Sequence, residues 1–424
     1  MTNEKTVAAQ RTIFFTKQPV LDVKRSIWGY ELLGGEMKEG LYEVFPQQES
    51  ATSLASITYL SLQEAMERGK KIMVGFDEES VLTGVPYALP PSYGVVRLLS
   101  GASPTSGLEA ALQKLRRDGY QTVIEVLPGK SLPPALCRQA DIFAFDLTET
   151  APEQATFDLL RSYQAPFLAR GLKTSEQFQT TKELGFALFQ GSFFKEPECL
   201  PGRRLGSNEV ARLNLFRLIE TDDPDLKAIA AAIRSDVAIS FRLLSYLNSA
   251  FFGFRHNIQS IDQAMLLLGW VKLKNWLRAV LLVDMAGKEE VPQELAALSL
   301  QRGKFLELLA TAYDYWGFKP ETLFLLGLFS LMDAVLGMTM ESVVELLPLE
   351  AKLKAALKRD PNSEYHPLFE LLESLEDADW PGLQVRTQQL CIDLDPIKGA
   401  FAQARDWASS FFTTRTGNRQ TSEG

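Results

Sequence analysis

Residues Gly119–Asp146 read GYQTVIEVLPGKSLPPALCRQADIFAFD, and their rhythm decides the architecture of the first half. Two runs rich in β-branched and aromatic residues, Gln121–Leu127 and Ile142–Asp146, flank a segment in which Pro133 and Pro134 leave room for one short turn of helix. Strand, helix, strand in succession implies parallel pairing, since antiparallel neighbours need only a tight turn. Working outward, the same alternation gives strands at Thr12–Phe15, Ser26–Leu33, Lys71–Phe76, Gly94–Leu99, Pro166–Ala169 and Ala187–Phe189. Helical stretches fall at Ser53–Arg68, Ser106–Asp118, Pro152–Tyr163 and Ser175–Leu184. Repeated this way, the unit predicts a closed (β/α) barrel. The QPVLDVKR segment, Gln18–Arg25, is too short for a crossover, so the first strand is expected antiparallel to the second.

The character of the chain changes near residue 200. PECLPGRRLGSNE (Pro197–Glu209) carries Pro, Gly and charge without apolar rhythm, and it reads as a boundary. Beyond it the periodicity is helical. Asp223 is the expected N-cap of a first helix with Pro224 at its first position. Further helices are expected at Val237–Leu247, Ile258–Leu268, Val271–Met285, Pro292–Trp316, Glu321–Leu336, Met340–Leu346, Glu350–Lys358 and Tyr365–Glu376, with one or two more over Pro381–Ala408. The reading is therefore a barrel domain over 1–200, an all-helical domain over 201–410, and a polar, disordered tail over 411–424.

Composition narrows the function. The 424 residues carry 44 Lys and Arg against 53 Asp and Glu, a net charge of −9, which speaks against nucleic acid or an anionic membrane as partner. Three dispersed cysteines, Cys137, Cys199 and Cys391, support neither a disulfide framework nor a zinc site. The apolar run Leu323–Met332 is about half the ~20 residues a membrane span needs. The N-terminus has no apolar leader core. A cytoplasmic protein is expected.

Reactive groups of such a barrel sit at the C-terminal strand ends. Those ends offer Glu31, Gly75–Asp77, Arg97, Glu125, Asp146, Arg170 with Lys173, and Gln190. Carboxylates facing cations allow three readings: a salt-bridged mouth, an anion site in which Arg97, Arg170 and Lys173 grip phosphate, or a divalent-metal centre. The last is opposed by Arg97 and Lys173, which would repel the ions.

The segments FFTKQPVLDVKRSIWGYELL, GYQTVIEV, ADIFAFDL and ELGFALFQGSFF resemble, in order and spacing, the motifs of EAL domains, the cyclic di-GMP phosphodiesterases. The resemblance covers about residues 10–197 and implies a TIM-like barrel with shortened helices. Glu31 stands at the motif glutamate, and Asp146 and Gln190 keep the family's residues. The resemblance also places Gly75 at a metal-binding Asn and Arg97 at a Glu. Glu125 and Val126 fall at the paired aspartates, Ala144 at the catalytic Lys and Lys173 at the late Glu, with Ala169-Arg170 at the AE pair. In the second half, LNSAFFGFRHNIQSIDQAMLLLGWVKLKNW (Leu247–Trp276) is similar to HDOD domains, relatives of the HD metal phosphohydrolases. GLFSLMDAVLG (Gly327–Gly337) falls at the HD motif, and the two histidines of the chain, His256 and His366, are too few for that centre.

These substitutions predict a non-catalytic signalling protein with no metal and no cofactor, acting through other signalling proteins, with self-association allowed. Two alternatives stand beside it. One is a cyclic di-GMP phosphodiesterase of residual activity that uses Glu31, Glu125 and Asp146 with Mg²⁺ or Mn²⁺. The other is a receptor that holds the dinucleotide uncleaved. Asn248 is read as a helix cap, the Phe251–Phe254 run as an aromatic cluster, Trp270, Trp276 and Trp316 as core, and Lys272, Lys274 and Arg278 as a solvated face.

Overall fold

The computed structural model describes residues 13–38, 41–44, 65–99, 105–148, 154–199, 205–221, 224–248, 258–313 and 317–413. Eight strands close a ring: β1 (Ile13–Asp22), β2 (Ile27–Lys38), β4 (Lys71–Phe76), β5 (Gly94–Leu98), β6 (Gln121–Val126), β7 (Ile142–Asp146), β8 (Phe167–Leu172) and β9 (Leu188–Gly191), which returns to β1. The short β3 (Leu41–Val44) pairs with the end of β2 outside the ring. Pairing is parallel from β2 through β9, while β1 runs antiparallel to both neighbours. The connecting helices are α1 (Glu78–Thr83), α2 (Ser106–Arg117), α3 (Pro134–Cys137), α4 (Gln154–Arg161) and α5 (Ser175–Glu183). They run from four residues in α3, which opens at Pro134, to twelve in α2. The expected helix Ser53–Arg68 lies mostly outside the described residues, and its described end, 65–67, is helical.

β1 runs through Asp22, so most of QPVLDVKR is strand and not connection. Only the turn at 23–26 remains, with Arg25 at φ 59° and the Asp22 carboxylate accepting from the Lys24 and Ser26 amides. Pro19 pairs opposite Tyr30 within the strand.

The barrel interior is filled by one buried layer: Val20, Met73, Val95, Val123, Ala144, Leu168 and Leu188, with Ile142 beneath. Successive inward positions on a strand are two residues apart. One step nearer the C-terminal ends of the parallel strands therefore lie Glu31, Gly75, Arg97, Glu125, Asp146, Arg170 and Gln190. On the antiparallel β1 the equivalent step from Val20 leads back to Gln18. Thus the mouth is the polar layer stacked on an apolar one.

The remaining helices are α6 (Ser207–Ile219), α7 (Leu226–Ser235), α8 (Val237–Leu247), α9 (Ile261–Leu268), α10 (Trp270–Met285), α11 (Glu290–Ala312), α12 (Pro320–Phe329), α13 (Met332–Leu336), α14 (Met340–Leu346), α15 (Ala351–Leu357), α16 (His366–Glu376), α17 (Trp380–Gln389) and α18 (Leu394–Thr413). α7 is capped by Asp225, whose carboxylate accepts from the Lys227 and Ala228 amides, two residues after the expected cap. The expected helix Glu321–Leu336 is broken at Ser330–Leu331, and Pro381–Ala408 resolves into two helices, the second reaching Thr413. Residues 414–424 of the expected tail lie outside the described residues.

By contacts, the chain divides into two compact units. One takes the described residues up to Phe194 together with Glu370–Ile392; the other takes Lys195–Phe369 and the residues from Asp393 onward. A contiguous division at residue 200 does not anticipate that residues 370–392 pack with the barrel. No described helix is long and apolar enough to cross a membrane.

Candidate functional site

Each mouth residue owes its place to strand alternation. Glu31 is fully buried, and Arg97 is 7% exposed. Arg97 Nε donates to Glu31 Oε1 at 2.7 Å, and its Nη1 donates to Glu125 Oε1. Arg170 repeats the pattern from the other side, with Nη2 to Glu31 Oε2 at 3.0 Å, Nη1 to Glu125 Oε1 at 2.9 Å and Nε to Gln190 Oε1 at 2.9 Å. Gln190 Nε2 donates to Glu31 Oε2 at 2.6 Å and to Gln18 Oε1 at 3.3 Å. Two carboxylates and two guanidiniums thus form a neutral, closed network in which both Glu31 oxygens are taken.

Burial alone would raise the Glu31 pKa, but the charges of Arg170 and Arg97 and the Gln190 hydrogen bond outweigh it and hold the carboxyl below its ordinary value. For Arg97, burial disfavours the cation, while Glu31 and Glu125 more than restore it. Gly75 is part of the same design. A Cβ there would lie 2.8 Å from Arg97 Nη2 and 2.8 Å from Leu99 Cδ2. Arg97 can fill the mouth only because its β4 neighbour has no side chain.

Not every residue singled out in the sequence joins this network. Asp146 is exposed, and its Oδ1 accepts from the Thr148 amide at 3.0 Å and hydroxyl at 2.6 Å. Lys173 is exposed on the rim. Ala144 lies in the apolar layer below, and Val126 points away from the mouth into the buried core. The anion reading of Arg97, Arg170 and Lys173 as one cluster is therefore altered: the two arginines are spent on Glu31 and Glu125, and Lys173 stands apart. Gln18 was missed because β1 was read too short; the Gln-Pro-Val-Leu alternation would have found it. Asp377, Ala378 and Trp380 also line this cavity, and nothing local in the sequence signals that.

In the helical unit, Asn248 caps α8 and clamps Ile258 through both its carboxamide atoms, at 3.0 and 2.7 Å. His256, Phe251–Phe254 and Trp316 lie outside the described residues. Trp276 is core, as expected. The expected solvated face holds only at Lys272, which is exposed: Arg278 is 1% exposed, with its guanidinium on Glu220 at 2.6 Å and on Glu321 at 2.9 Å, and Lys274 joins the same carboxylates. At the HD-motif position, Ser330 accepts from Arg302 at 3.0 Å, and burial pushes the Asp333 carboxyl up to about 6, partly offset by the Ala334 amide.

Among the described residues no three His, Cys, Asp or Glu side chains are placed to share an ion. With both Glu31 oxygens and Glu125 Oε1 held by N–H donors, the mouth can take a divalent ion only if Arg97 and Arg170 let those carboxylates go.

The HDOD domain family matches residues 208–359. The chain is 30% identical over 404 residues to the cyclic di-GMP phosphodiesterase CdgJ of Vibrio cholerae, covering 94% of this chain and 92% of that one. It is 28% identical over 414 residues to the uncharacterized protein YuxH of Bacillus subtilis, at 95% and 100% coverage. Among solved structures, the EAL-domain protein YkuI of Bacillus subtilis, in complex with cyclic di-GMP and calcium, is 13% identical over 61% of this chain and 72% of its own, with a TM-score of 0.33. The Vibrio relative overturns the expectation of a chain without enzymatic activity. The expectation of no cofactor is withdrawn with it. With a closed eight-stranded barrel followed by an HDOD domain, and with this identity along nearly its whole length, the chain belongs to the EAL–HDOD family of cyclic di-GMP signalling proteins.

Proposed function

We propose that the chain is a cyclic di-GMP phosphodiesterase of low turnover, with the barrel mouth as the place where the dinucleotide is held. The observation that carries this reading is the 30% identity to CdgJ across 92% of that enzyme. The chemistry is addition of water across one P–O bond, opening the cyclic dinucleotide to the linear one. Lys173, an exposed point charge on the rim, is the group suited to phosphate, and Arg170 can offer its planar fork only once it lets go of Glu31 and Glu125. Glu31, held ionised by its two arginines, serves as an acceptor and not as a proton donor at neutral pH. The low turnover follows from Arg97 and Arg170, which must release Glu31 or Glu125 before those carboxylates can do anything else.

The helical unit is proposed to pass the signal to other proteins within the cytoplasm. Exposed Phe241, Leu266, Leu267 and Val271 support this, Leu266 being 85% exposed. The test is incubation of the purified chain with cyclic di-GMP and Mg²⁺ or Mn²⁺, against an EDTA control, with products separated by chromatography. The linear dinucleotide should accumulate slowly with the divalent ion. Intact nucleotide throughout, with no calorimetric binding, would overturn the reading.

A further inference from the structure

The cavity at the mouth measures about 410 Å³, towards the lower end of the ~300–1,000 Å³ of ligand pockets. A cyclic dinucleotide, with two purines, two sugars and two phosphates, needs the upper end of that range. Part of the wall is supplied from far along the chain. Gln18, Arg97, Arg170 and Lys173 line the barrel side, while Asp377, Ala378 and Trp380 line the other.

Asp377 and Ala378 lie in the turn between α16 and α17 and Trp380 opens α17, all within the segment Glu370–Ile392 that packs with the barrel. The HDOD match ends at residue 359, well before it. Gln18 Nε2 donates to the Glu376 carbonyl at 3.0 Å, which ties the turn to the hydrogen-bond chain through Gln190 to Glu31. Ala378 sits at φ 54°, a left-handed conformation unfavourable for a residue with a Cβ. Asp379 holds the far side by capping α17, its Oδ1 accepting from the Gly382 amide at 3.0 Å.

We propose that Glu376–Trp380 is a strap over the barrel mouth, and that a cyclic dinucleotide enters only when the strap lifts. The inference rests on the reading of the mouth as a cyclic di-GMP site. Two features make the strapped and occupied states exclusive. The turn takes volume the ligand needs, and Asp377 sets a carboxylate in a cavity meant for phosphates. The turn is tied by the Gln18 bond to the Glu376 carbonyl and by the Asp377 and Asp379 amides, which donate to the Glu373 and Ser374 carbonyls, and it contains the strained Ala378. Apparent affinity scales with the fraction of molecules in which these ties are open.

The strap can be shifted both ways without touching a mouth side chain of the barrel. Asp379→Ala removes the cap and should favour opening; Ala378→Gly relieves the left-handed residue and should favour closure. In calorimetric titration of the full chain with cyclic di-GMP, Asp379→Ala should bind about threefold to fivefold tighter and Ala378→Gly weaker by a similar factor. Equal affinities, or the reverse order, overturn the strap. Hydrogen exchange judges it without ligand: amides of 376–382 should exchange faster than those of β6, and faster again in Asp379→Ala. Protection equal to that of β6 also overturns it. Failure of every variant to bind cyclic di-GMP instead sinks the proposed function, leaving the strap to stand or fall on exchange.

Discussion

Arg97 and Gly75 are neighbours across the β4–β5 pairing, and their side chains make sense only together. The guanidinium end of an arginine usually yields to a new methyl group, but this one is pinned by Glu31 and Glu125 and has nowhere to go. Gly75→Ala should therefore destabilise the barrel by about 1–3 kcal/mol. In an Arg97→Ala background part of that cost should vanish, leaving a coupling of at least ~0.5 kcal/mol in a double-mutant cycle measured by urea unfolding; strictly additive costs would break the link. Asp333 gives a second prediction at this scale. Its folded pKa of about 6 lies above the ordinary 3.8, so the native state binds a proton that the unfolded state has lost. Stability contributed this way is present below the ordinary value and falls as pH rises through the window up to about 6. Asp333→Asn should accordingly be more stable than the parent at pH 7.5, with the gain shrinking towards pH 4. Thermal unfolding across that range would show it, and a gain independent of pH would contradict the assignment.

Among the elements, the strands were legible and their partners less so. The seven parallel strands follow from apolar runs punctuated by helix, and the mouth residues follow from counting two positions along each strand. β1 was read as ending at Phe15, although it runs on to Asp22, and that hid Gln18. Arg278 was misread because a charged residue on a helix normally faces water; only the fold brings Glu220 and Glu321 to it. The crossing of α11 and α12 was equally silent in sequence. Gly303 and Gly327 face each other there, so that a Cβ on Gly327 would overlap the backbone of Arg302 and Gly303. Backbone cannot step aside as a side-chain end can. Gly327→Ala should cost the helical unit about 3 kcal/mol, read as a lowered midpoint of its own unfolding transition; an unchanged midpoint would mean that the helices are less closely apposed than described.

For the whole molecule, the resemblance of both halves to known domains was legible, and it led the functional reading astray in one respect. Loss of family ligands at Gly75, Arg97, Ala144 and Lys173 was taken as loss of activity, whereas a relative alike over almost the full length is named as the enzyme. Segment 370–392 was beyond any sequence reading, since nothing in it marks the barrel as its neighbour. On the proposed function, slow turnover follows from the neutral, ion-paired mouth and from the turn that narrows it. The most direct measurement is a time course of cyclic di-GMP hydrolysis by the full chain, with Mn²⁺ and with EDTA, beside the Asp379→Ala variant. The account predicts slow formation of the linear dinucleotide with Mn²⁺, none with EDTA, and a faster rate in the variant at subsaturating substrate. Intact cyclic di-GMP in every reaction, at enzyme concentrations matching the substrate, would contradict it.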